Sequence, residues 1–180
     1  MIDFDHWLTQ LDDGEEQQER EWHTNQEELF LEYVLREETA YRKDLKERFD
    51  RGEKLTGPKG LRKKLAAVDL SYFGRAYLSH YFVRKSPEFH AELDAIWESG
   101  VLKAPRGHAK STNFTFKDSL HAILYAYKHY LIILSDSSDQ AEAFLEDIKD
   151  ELEDNADIIE DFGCMKGEDT WKSGTIKTTN

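Results

Sequence analysis

Apolar residues recur with a helical period over the first half of this chain and with a mixed period over the second. Phe30, Val34, Tyr41, Leu45 and Phe49 share one side of a 3.6-residue repeat, which predicts an amphipathic helix from Thr24 to about Arg51. Thr24 and Glu27 have capping-box spacing, in which hydroxyl and carboxylate satisfy free amides at a helix start. Residues 1 to 23, with Trp7, Trp22 and a Glu/Gln-rich run, read as a short helix or an arm. "GEKLTGPKGLRKK", residues 52 to 64, sets three glycines and a proline among lysines and reads as a linker and a boundary. "DLSYFGRAYLSHYFV" then predicts an aromatic-rich helix from about Asp69. "SPEFHAELDAIWESG" predicts another, capped by Ser86, with Pro87 at its first position and a stop at Gly100.

Past Gly100 the pattern changes. "GVLKA" is a short strand candidate, "KSTNFTFKDSLHAILYAYKH" a helix, and "YLIILS" a continuous apolar strand of the kind buried on both faces. "SDQAEAFLEDIKDELED" is a second helix with Ala141, Leu145, Ile148 and Leu152 inward, and "SGTIKTTN" begins another strand. That β-α-β-α order predicts an α/β fold, half of a doubly wound parallel sheet with flanking helices. Two units result: a helical amino-terminal region with a basic linker over 1–60, and the α/β unit over 61–180.

Charge narrows the partners. The net charge of -13 excludes a surface that coats nucleic acid everywhere. From Arg42 to Lys64, however, ten basic residues stand against four acids, and there Lys59, Arg62, Lys63 and Lys64 are the candidate DNA contacts. From Asp136 to Asp161 the sign reverses, with twelve acids and only Lys149. Both runs also fit plain solvated surface. Cys164 is alone, so no internal disulfide forms and a reducing compartment is expected. The start, MIDFDHWL, has no basic leader, and the apolar region Ala122 to Leu134 is short and broken by Lys128 and His129, which points to a soluble intracellular protein. The histidines show no paired metal spacing, and Cys164 has no evident catalytic partner.

"APRGHAKST", residues 104 to 112, carries the chemistry. A turn of small residues ending in Lys-Ser, between a strand candidate and a helix, follows the phosphate-loop pattern, whose amides and lysine hold phosphates while its hydroxyl ligates magnesium. Alanine replaces both pattern glycines, at Ala104 and Ala109, while Gly107 keeps one unrestricted backbone position.

That loop with its internal arginine, "YLIILSDSSDQAEAFLEDIKDELEDN", the "FG" at Phe162 and Gly163, and "DLSYFGRAYLSHYFVRKSPEFHAEL" upstream resemble the large terminase subunits of tailed bacteriophages over residue 69 onward. The resemblance implies an ASCE-type P-loop ATPase, driving viral DNA packaging into procapsids. Lys110 would hold the β- and γ-phosphates and Arg106 stabilise the γ-phosphate. Ser111 would hold magnesium, and Ala104, Pro105, Arg106, Gly107, His108, Ala109, Lys110, Ser111 and Thr112 would form the ATP site. It further implies ATP and Mg²⁺ as cofactors, and double-stranded viral DNA, a terminase small subunit, a portal protein and copies of itself in a ring as partners. The host cytoplasm and, transiently, the procapsid would be its location. Asp136 would be a strand-end residue near the site. The acidic metal-binding motif and the nuclease domain would fall beyond Asn180, so the chain reads as a front portion that turns ATP over little. Another P-loop ATPase, such as a helicase-like protein, and a noncatalytic module docking on the small subunit or portal are the competing readings.

Overall fold

A computed structural model describes residues 25–82, 111–172 and 174–179. Four helices come first. Helix α1 (Gln26–Val34) is capped by Asn25, whose side chain accepts from the Glu27 and Glu28 amides. Thr24, expected to cap it, lies outside the described residues. The single long helix predicted to Arg51 is two helices, because the chain breaks after Val34 and restarts at α2 (Ala40–Asp50) under a Thr39 hydroxyl cap. Folding back brings Phe49 to 5.2 Å from Phe30, ring centre to ring centre. Buried Arg42 donates to the Tyr33 carbonyl at 2.5 Å and to Asp69 at 2.8 Å, so it stitches the end of α1 to the start of α4.

Residues 52–64 do not form a solvated linker. Lys54 and Leu55 accept from the amides of Leu61 and Arg62, closing a tight loop in which a Cβ on Gly60 would collide with the Leu55 carbonyl. Helix α3 (Leu61–Ala66) starts there, and α4 (Leu70–Tyr77) follows under an Asp69 cap, as the sequence predicts. The carbonyls at the end of α3 collect side-chain partners. Tyr125 donates to Lys63, Tyr41 to Lys64 and Tyr127 to Ala67, while His121 Nε2 lies 3.0 Å from the Ala66 oxygen. The Tyr125 bond, 2.6 Å and part-buried, is the shortest of these. Tyr125→Phe should therefore cost about 1 kcal/mol in urea unfolding, the net worth of one such bond.

A π-helical stretch, Ser111–Lys117, runs into α5 (Asp118–Leu124), and α6 (Ser138–Asp154) and α7 (Ala156–Phe162) follow. Asn155 joins the last two, capping α7 while donating to the Tyr77 carbonyl. Strands β1 (Lys166–Lys172) and β2 (Thr175–Thr178) pair antiparallel, Trp171 opposite Ile176. Glu153 of α6 accepts from Trp171 Nε1 and Lys166, anchoring this hairpin. One core cluster gathers Phe30, Leu45, Leu61, Phe73, Leu120, Ile148 and Ile158, from both sides of residue 60.

This architecture corrects the predicted fold class. The described residues are mostly helical, and their one sheet is this antiparallel hairpin, not the parallel sheet of an ASCE-type P-loop NTPase. "YLIILS" is where the prediction fails. Residues 130–135 are not a strand and make no backbone hydrogen bond to another described residue, and Tyr130 and Leu134 are 83% and 88% exposed. An apolar run becomes a strand only when a neighbouring ladder satisfies its amides and carbonyls. Asp136 is accordingly an exposed residue that follows no strand. "GVLKA" and the helix expected from Ser86 lie outside the described residues.

Candidate functional site

Of the expected ATP site, Ala104, Pro105, Arg106, Gly107, His108, Ala109 and Lys110 lie outside the described residues. Ser111, the first described residue of the helical stretch, is exposed, and Thr112 is half-buried.

The inner side of that helix carries polar groups among the apolar Phe116, Leu120 and Leu124. Asn113, Lys117, Asp118, Ser119 and His121 are all buried. Gly74 of α4 makes room for Lys117, since a Cβ there would stand 3.1 Å from the lysine's Cδ. The Lys117 ammonium lies 3.9 Å from Asp118 Oδ1 and 5.7 Å from the Phe82 ring centre. His121 meets Phe73 edge-on at 4.9 Å. Its imidazole is pushed down to about 4, chiefly by burial and further by the Lys117 charge, against the opposing pull of the Ala66 carbonyl. Sequence reasoning missed this row, although Asn113, Lys117 and His121 recur every four residues.

The basic island is divided between surface and interior. Lys59 is exposed, and Lys64 pairs with Glu53 at 2.9 Å. Lys63 donates to the Asp161 carbonyl and lies 4.1 Å over the Phe162 ring. Arg62 is 1% exposed, its Nε 2.7 Å from Asp161 and its other nitrogens on Asp157 and Glu160. Asp161, fully buried, also accepts from the Tyr77 hydroxyl at 2.6 Å and the Gly57 amide at 2.5 Å. Burial, with charged neighbours beside it, drives the Tyr77 phenol far above its ordinary range. A phosphate reaches Arg62 only by breaking these bonds, which leaves Lys59 as the most accessible of the four candidate DNA contacts.

A cleft of about 560 Å³ opens between residues 128–133, α6 and β2, with Ile123, Leu145 and Ile176 in its wall. Among the described residues no group of three or more His, Cys, Asp or Glu is arranged to hold a metal ion, and no helix is long and apolar enough to cross a membrane. No protein-family model matches the sequence, and no match to a curated protein or a solved structure was found.

Proposed function

We propose that this chain is the ATP-binding portion of a viral DNA-packaging motor, similar to the large terminase subunits of tailed bacteriophages. One observation carries the reading: "APRGHAKST" ends in a helical stretch whose first described residue, Ser111, is exposed. The reading rests on loop and helix, not on the sheet. Lys110 and Arg106 would neutralise the outer phosphates, and Ser111 would hold Mg²⁺, with charge stabilisation as the catalytic lever. Packaging would bring viral DNA, a small subunit, a portal and further copies as partners in the host cytoplasm. A noncatalytic assembly module is the second reading, favoured by the exposed apolar side chains of residues 130–134.

Titration with a fluorescent ATP analogue and Mg²⁺ separates the two. Lys110→Ala should weaken binding at least about tenfold, because it removes a charge-assisted phosphate contact. Ser111→Ala should act mainly on the Mg²⁺-dependent part. Equal affinity in wild type and both variants would overturn the ATPase reading in favour of the module.

A further inference from the structure

Basic side chains crowd residues 42–64, and the fold has committed most of them. Arg42 and Arg62 are buried on Asp69 and Asp161, and Lys63 donates to the Asp161 carbonyl. Lys43, Lys46, Arg48 and Lys64 pair with Glu38, Asp50 and Glu53. Arg51, Lys54 and Lys59 remain, all exposed and without an ion pair or side-chain hydrogen bond to another described residue. They sit together in the turn between α2 and α3. The Leu61 and Arg62 amides close that turn on the Lys54 and Leu55 carbonyls, while the Thr56 hydroxyl on Glu160 and the Gly57 amide on Asp161 tie it to α7. The neighbouring carboxylates are already used, since Asp50 holds Lys46, Glu53 holds Arg48 and Lys64, and Asp157 and Glu160 hold Arg62. Of the acids within 42–64, Glu47 alone has no ion pair to a described residue. The turn is therefore a positive spot on a chain of net charge -13.

We propose that this turn holds the phosphate backbone of a nucleic acid through Arg51, Lys54 and Lys59, by charge and without reading bases. A protein partner would need an apolar or aromatic anchor at the centre of its interface. None of the exposed large apolar side chains falls between Arg51 and Gly60. Phosphates need no such anchor, because the counterions condensed on a nucleic acid are released wherever cations replace them. The fastened backbone presents the three cations without first having to be ordered, which spares part of the entropy cost of binding. Three phosphate contacts give log affinity a slope of about -2.7 against log salt, so binding is weak and strongly salt-dependent. The inference goes beyond the ATP reading and stands without it, since it uses none of residues 104–112.

Fluorescence anisotropy of a labelled random-sequence DNA duplex, titrated with the full chain at ~20–150 mM salt without nucleotide or Mg²⁺, tests the contact. Arg51→Gln, Lys54→Gln and Lys59→Gln combined should weaken binding at least about tenfold at the lowest salt and bring the salt slope close to zero. Lys43→Gln, Lys128→Gln and Lys172→Gln combined remove the same charge from exposed positions outside the turn, and should leave affinity within about threefold of wild type. Circular dichroism should report unchanged helix in both, since the substituted side chains are exposed. A wild type that does not bind the duplex, a turn variant with an unchanged slope, or equal losses in the two variants would overturn the proposal. So would displacement of the duplex by polyglutamate as readily as by unlabelled DNA at equal charge, which would point to an acidic protein instead.

Discussion

Arg62→Ala is expected to destabilise the protein by about 3–5 kcal/mol, the usual cost of removing one partner of a buried ion pair. The loss comes almost wholly from Asp161. Asp157 and Glu160 are roughly half-exposed, so water replaces the arginine there at little cost. Asp161 has no access to water and would keep only Tyr77 and Gly57 as donors for a buried carboxylate. Because these contacts tie residues 56–63 to α7, the whole transition should move, not a local segment. Urea unfolding measures it. Arg62→Lys should rescue little, since an ammonium cannot reproduce the guanidinium fork. Arg62→Ala combined with Asp161→Ala should cost clearly less than the two single changes added together. A loss below about 1 kcal/mol for Arg62→Ala would show that the node contributes nothing special to folding.

The second large effect is a dependence on acid governed by His121. Its folded value of about 4 lies below the ordinary 6.5, so between those values the unfolded chain binds a proton that the native chain rejects. Stability from this group is complete above pH 6.5 and falls as the pH drops toward 4, by up to about 3 kcal/mol. His121→Gln keeps an amide donor for the Ala66 carbonyl but cannot titrate. Its stability should therefore change less than wild type between pH 7 and 4.5, and the difference between the two proteins isolates the imidazole. Glu53, held down to about 2 by Arg48 and Lys64, loses its contribution in more acidic solution and is common to both proteins. Parallel pH profiles for the two would remove His121 from the account.

Local signals were readable where a capping side chain meets a periodic run. Asp69 accepts an amide at the start of α4, and the helix over 138–154 stands where the apolar spacing puts it, whereas α7 under its Asn155 cap was not among the expected helices. Leu35 to Thr39 defeated the same reasoning. The apolar period crosses the break undisturbed, while the Thr39 cap and the contact between Phe30 and Phe49 favour two helices over one. The expected phosphate site remains a string, "APRGHAKST", whose first seven residues lie outside the described ones, while the buried row of Asn113, Lys117 and His121 depends on α4 and on the small volume of Gly74.

Composition and spacing by themselves determined that the chain is acidic and where α1, α4 and α6 begin, because caps and periodicity act within a few residues. Only the tertiary structure decided the fates of two runs whose local sequence pointed the other way. Arg62, in a basic run, went inside because α7 supplies a carboxylate nearly a hundred residues away. The apolar run at Tyr130 stayed outside, because a strand exists only when another segment offers it a ladder.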